Sequence, residues 1–230
     1  MTKEKRDVTT ETEAPQPPGG GPGRRLRVAV LLFDDVEVLD FAGPFEVFGV
    51  ARTVAGEPAF EVVTVGLDRG RVIARNGLVV VPAFTAEDLG PVDIFVVPGG
   101  FGTRREMTSP TMHDFIRSTS GSAELTLSVC TGALLLGAAG LLEGRSATTH
   151  WAAMGELRAL ETGAHILPDA RIVDNGAIVV AAGVSAGIDA ALHVVARLLG
   201  RKQAERAALY MQYEWTCAEI DGVKVVKVEP

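Results

Sequence analysis

An α/β fold with a mainly parallel sheet and helices on both faces is what the sequence predicts, on three observations. Continuous apolar runs at Leu26 to Phe33, Val92 to Val97 and Leu125 to Val129 read as strands buried on both faces, since a strand with one wet face alternates polar and apolar residues. Segments of helical spacing lie between these runs, and parallel strands need such crossover connections. Several runs end in Gly, Pro or a polar residue at the carboxyl end, where folds of this class collect their ligands.

Taken in order, Met1 to Gly23 is rich in Thr, Glu, Pro and Gly without apolar periodicity, so a disordered leader is expected, followed by one domain over residues 24–230. Asp34 and Asp35 mark the turn from the first strand into a helix that carries Phe41, Phe45 and Phe48 on one face. Phe60 to Val65 is the next strand, and the charged stretch Gly66 to Gly77 is a surface excursion before Leu78 to Val81. Val92 to Val97 ends in Pro98, Gly99 and Gly100. Ser109, Pro110 and Thr111 then open a helix to about Thr119 that Gly121 closes.

Leu125 to Val129 runs directly into Cys130, and a helix follows over Thr131 to Ala139 with no linker between them. Ala147 to Thr149 is a short strand ahead of a helix from Trp151 to Leu160. Ala170 to Val173 and Ile178 to Ala182 flank Asp174, Asn175 and Gly176 as a hairpin. Ser185 is placed to cap a helix reaching about Leu199, Lys202 to Tyr213 forms another, and a polar tail containing Val225 and Val226 ends the chain. No internal repeat argues for a second domain.

Composition narrows the function. Of 230 residues, 47% are hydrophobic and 22% charged, the balance of a globular protein, and no apolar run is long enough to span a bilayer. The mean hydropathy of +0.23 reflects Ala, Val and Leu dispersed along the chain. A net charge of -7 with scattered basic residues does not build the concentrated positive face that nucleic acid needs. The two cysteines, Cys130 and Cys217, are not preceded by a secretory signal, so free thiols in a reducing cytoplasm are expected. The four histidines show no ligand spacing with cysteine or carboxylate, and neither a metal nor another cofactor is expected. His150, in TTHW, lies nearest the strand ends, and its expected role is structural.

The candidate site gathers at those strand ends. A cysteine in a strand-to-helix turn lies at a helix N-terminus, where unpaired N–H groups favour thiolate over thiol, so Cys130 is a candidate nucleophile. The alternative is a small buried apolar residue. Gly99 and Gly100 allow close backbone approach, and the Gly100 and Thr131 amides are expected to form an anion hole beside the sulfur. Asp40 is set among Val38, Leu39, Phe41 and Ala42, where burial would raise its pKa and let it share a proton with Cys130. Its alternative is a helix cap or a turn before Gly43 and Pro44. Cys217 has no such setting and receives no role.

The stretches VAVLLFDDVEVLDFAGPFEVF, DIFVVPGGFGT, LSVCTGALLLGAAGLLEGRSATTHW and GVSAGIDAALHVV together resemble the ThiJ/PfpI superfamily, from about Arg24 to Tyr213. LDFAGP and the Cys130–Thr131 pair look like its isonitrile hydratase branch. The resemblance implies a flavodoxin-like, class I glutamine amidotransferase-like fold and a homodimer. It implies Cys130 as nucleophile, Asp40 as general acid and base, Thr131 beside them and Asp189 in support, although Asp189 at a helix start has an equally good structural reading. Protease and amidase members carry His after the cysteine where this chain has Thr131, which moves proteolysis down.

The expected reaction adds water to an isonitrile through a cysteine thioimidate, giving an N-substituted formamide, with Phe41 and Phe45 suited to a hydrophobic R group. Rival readings are a glyoxalase or deglycase acting on a carbonyl, a redox sensor oxidised at Cys130, and a stand-alone ligand sensor related to AraC-type regulators. Such regulators carry a helix-turn-helix domain after the sensor. Only about 17 residues follow Tyr213, so a small-molecule partner is expected rather than DNA.

Overall fold

In the computed structural model the described residues are 24–215 together with the strand at 225–227. The expected leader, Cys217 and most of the tail lie outside them. One eight-stranded sheet organises the chain. Its strands are β1 (Leu26–Leu31), β2 (Phe60–Gly66), β5 (Phe84–Thr85), β6 (Ile94–Val97), β7 (Leu125–Val129), β10 (Ile172–Asp174), β11 (Ile178–Ala181) and β12 (Val225–Lys227). They lie side by side in the order β12-β10-β11-β7-β6-β1-β2-β5. Two short pairs lie outside the sheet: β3 (Val72–Ile73) with β4 (Val79–Val80), and β8 (Ser146–Ala147) with β9 (His165–Ile166).

Pairing is parallel throughout the sheet except between β10 and β11, which form the expected hairpin about Asp174 to Gly176. The central strands β1, β6 and β7 are almost wholly buried because helices cover both sides. On one face α1 (Val38–Val50), α6 (Ala186–Leu199) and α7 (Arg201–Tyr210) pack together. On the other lie α2 (Thr103–Glu106), α3 (Pro110–Ser122), α4 (Gly132–Ala138) and α5 (Met154–Ala159). Among the described residues no helix is long and apolar enough to cross a membrane.

Register sets up the site. Val97 pairs with Ser128 and Ala181 with Val129, so the segments leaving β6 and β11 emerge on either side of Cys130, which follows β7. On the far side of the turn, Gly43 and Gly187 bring α1 and α6 close: a Cβ on Gly43 would lie 2.9 Å from Ile188 Cγ1, and one on Gly187 2.9 Å from Val129 Cγ1. Asp40, one turn before Gly43, is carried to the sheet by this contact.

Several local expectations are corrected. Ser185 is itself helical in φ and ψ and makes no side-chain cap, its hydroxyl accepting from Arg171 instead. Gly121 lies inside α3, which ends when Ala123 turns extended toward β7. Phe41 and Phe48 are buried but Phe45 is 37% exposed, so the aromatic face of α1 is only partly covered. The stretch from Gly66 to Gly77 contains strand β3, a short helix α2 precedes α3, and α7 stops at Tyr210. Val225 and Val226, read as tail, pair with β10 at the sheet edge.

Candidate active site

Cys130 occupies the turn between β7 and α4 with φ +57°, the left-handed region a side chain rarely adopts. The conformation is held from three sides. Its N–H donates to Ala182 O at 2.9 Å, its C=O accepts from Thr149 Oγ1 at 2.8 Å, and a Cβ on Gly132, which opens α4, would collide with Val97 O. Strain of this kind is kept only where the surroundings dictate it, and here it aims the thiol out of the turn.

Asp40 is fully buried within α1, which rules out the cap and turn readings. Its Oδ2 accepts from Gly99 N–H at 3.0 Å, while Oδ1 is buried and has no hydrogen-bond partner among the described residues. Burial pushes its carboxyl up to about 7, against the Gly99 N–H and the Cys130 thiol, which pull it down; the charge of Glu37 adds a smaller upward push. The Cys130 thiol is pushed up to about 12, chiefly by burial and then by the Asp40 charge, while the N–H groups of Thr131 and Val184, turned toward the sulfur, draw it down.

The two groups the sequence singles out therefore meet, but not as expected. The resting thiolate is not what this setting favours, because desolvation and a neighbouring carboxylate outweigh the helix N-terminus and its amides. Between about pH 7 and 12 the pair holds one proton, and that proton belongs to the pair rather than to either residue.

The expected anion hole also differs. Gly100 N–H donates to Thr131 Oγ1 at 2.9 Å, and that hydroxyl in turn donates to Gly100 O at 3.1 Å, so the Gly100 amide is committed to Thr131. The amides at the sulfur are those of Thr131 and Val184. Sequence reasoning misses Val184. It too has positive φ, +47°, unusual for a β-branched residue, and it belongs to the turn after β11. The signal in the sequence is Gly183 at the end of the Ile178 to Ala182 run, but only the strand order places that turn beside Cys130.

Gly99 and Gly100 act through their lack of a side chain. A Cβ on Gly99 would lie 2.5 Å from Thr131 N and 2.8 Å from Asp40 Oδ2, and Gly100, at φ +131°, abuts the Asp35 to Glu37 backbone. Asp189 stands one layer back. It is buried, accepts from Arg171 Nε at 2.6 Å and from Tyr213 Oη at 2.9 Å, and Arg171 also donates to Ser185, the neighbour of Val184. His150 stacks on Gly183, where a Cβ would strike its ring, and its Nδ1 accepts from Ala152 N–H at 3.2 Å. A cavity of about 400 Å³ between the ends of β1 and β2 and the α2–α3 segment holds none of these residues.

Comparison with known proteins agrees with this architecture. The chain is 40% identical to isonitrile hydratase of Pseudomonas putida over 82% of its own length and 78% of that protein. It is 26% identical to the HTH-type transcriptional regulator GbdR of Pseudomonas aeruginosa over 90% of its length, but spans only 57% of that regulator. Among solved structures, a ThiJ/PfpI family protein of Pseudomonas syringae superposes with TM-score 0.75 at 30% identity, covering 90% of this chain and 84% of that one. Drosophila melanogaster DJ-1beta shares the fold, with TM-score 0.73 at 19% identity over 84% of this chain and all of that one. The profile of the DJ-1/PfpI family matches residues 26–197, from β1 into α6, and the chain belongs to that family.

Proposed function

We propose that this chain is an isonitrile hydratase in which Asp40 and Cys130 work as a one-proton pair. The observation that carries the reading is the Asp40 carboxyl, fully buried beside Cys130, with one oxygen pinned by Gly99 N–H and the other without a hydrogen-bond partner among the described residues. Isonitrile hydration needs one proton and one sulfur nucleophile at the same carbon, and such a pair delivers both. The similarity to the Pseudomonas putida enzyme supports the same chemistry.

In the first step Cys130 Sγ bonds to the terminal isonitrile carbon while Asp40 delivers the shared proton to that carbon, giving R–N=CH–S–Cys130. Asp40, now a carboxylate, takes a proton from water as the hydroxide adds to the same carbon, and passes it to nitrogen. The C–S bond then breaks, R–NH–CHO leaves, and the hydroxyl proton returns to the pair. The N–H groups of Thr131 and Val184 stabilise the sulfur whenever it bears charge. Asp189 is a positioning residue, holding Arg171 against Ser185 and so fixing the Val184 turn.

Incubation of the purified chain with cyclohexyl isocyanide, followed by chromatographic detection of N-cyclohexylformamide, tests the proposal. Formamide from the wild type, with background levels from Cys130→Ala and Asp40→Asn, is the expected result. Equal rates in the wild type and Cys130→Ala remove the cysteine from the reaction and sink the reading.

A further inference from the structure

Sheet order places the segments after β6 and β11 on opposite sides of Cys130; the first runs into Phe101, and the second packs at Gly183 against His150, whose neighbour in the chain is Trp151. Phe101, directly after Gly100, is 62% exposed, and Trp151, directly after the His150 that stacks on Gly183, is 80% exposed. Neither ring is loose. The Phe101 ring lies 4.1 Å from the Arg75 guanidinium and 5.7 Å from that of Arg104, contacts that set its plane. Arg104 also donates to Gly100 O at 3.2 Å and grips Glu156 of α5 with two bonds, at 2.8 and 2.5 Å, which ties the Phe101 side of the site to the helical segment that Trp151 opens. Trp151 leans on His150, ring centres 5.4 Å apart at an interplanar angle of 35°.

We infer that Phe101 and Trp151 form an aromatic rim that selects isonitriles bearing a flat aromatic R group; the inference rests on the hydratase reading of the same site. Geometry of the substrate leads here. The C–N≡C axis of an isonitrile is linear, so with its terminal carbon at the sulfur the R group projects straight away from the turn. At the sulfur stand the Thr131 and Val184 amides and the Asp40 carboxyl, groups that serve the reacting carbon and discriminate little between R groups. Side chains able to recognise an R group begin at the rim. An aromatic R group would meet oriented ring faces there, whereas a methyl group would not reach them.

The experiment compares kcat/KM for benzyl isocyanide and methyl isocyanide. Phe101→Leu and Trp151→Leu are each expected to lower the benzyl-to-methyl ratio about tenfold, with the loss in KM for the benzyl substrate rather than in kcat. Phe101→Tyr and Trp151→Phe should restore most of it. Val54→Ser, which alters an apolar side chain 78% exposed in another turn, should leave the ratio where it was. A ratio unmoved in both leucine variants, with formamide still produced, overturns the rim. A fall in self-association measured by sedimentation without any change in ratio also overturns it, by assigning the rings to contact between copies. Absence of formamide from either isonitrile with the wild type defeats the hydratase reading instead, so the two failures are distinguishable.

Discussion

Replacing Asp40 by asparagine should abolish a loss of stability that the wild type suffers as pH rises from about 4 to about 7. In the folded state burial lifts the Asp40 carboxyl from the ordinary 3.8 to about 7. Between those values the native chain holds a proton that the unfolded chain has lost, so stability falls by about 1.4 kcal/mol for each pH unit gained. The stability that protonated Asp40 contributes is fully present below pH 3.8, is lost as pH rises through about 7, and is level thereafter. Over the whole interval the loss is about 4 kcal/mol. The Asp40→Asn side chain cannot ionise and escapes this loss, although any constant cost of burying the amide shifts its curve at every pH alike. Urea unfolding of both proteins at half-unit steps from pH 4 to pH 8 measures the difference directly. The advantage of the variant should grow by about 4 kcal/mol across that range. A difference independent of pH would refute the burial argument and with it the shared proton.

Other expectations follow from the same geometry. On the proposed mechanism, in which the pair acts with one proton, kcat/KM for an isonitrile should rise as pH increases through about 7 and then level off, and a profile that falls through neutrality contradicts the assignment. Cys130→Ala and Cys130→Gly should both be inactive, yet the glycine variant should be more stable by about 1 kcal/mol in thermal melts, since only glycine meets φ +57° without strain. Gly132→Ala, whose methyl would strike Val97 O, should cost about 1–3 kcal/mol or more and disrupt the turn, and wild-type stability would show that the turn yields. Asp189→Asn, which weakens a partly exposed pair with Arg171, should cost about 1 kcal/mol and lower kcat with little change in KM; an unchanged kcat would reduce Asp189 to a purely structural role.

The strands are legible in sequence because burial on both faces leaves an unmistakable apolar signature, as in Ile94–Val97 and Leu125–Val129. Cys130 and Asp40 are legible too, one from an abrupt strand-to-helix junction and the other from a carboxylate among apolar neighbours. What escapes depends on distant parts of the chain. No local pattern reveals that β11 lies beside β7, so Val184 cannot be placed at the sulfur, and nothing near Gly100 in the sequence tells that Thr131 Oγ1 occupies its amide. The protonation state of the cysteine escapes for a similar reason. A helix N-terminus is visible in sequence, whereas the degree of desolvation around it is a property of the assembled core.

The glycines packed around the cysteine turn restrict how such a protein diversifies. Adding one methyl at residue 99, 100, 102 or 132 drives it into neighbouring peptide groups, so these positions are closed to ordinary substitution. Variation that retunes the chemistry must enter through the loops beyond them, where Phe101 and Trp151 stand in solvent. On the proposed chemistry, these glycines hold a reactive floor fixed while the entrance above it is free to change what it admits.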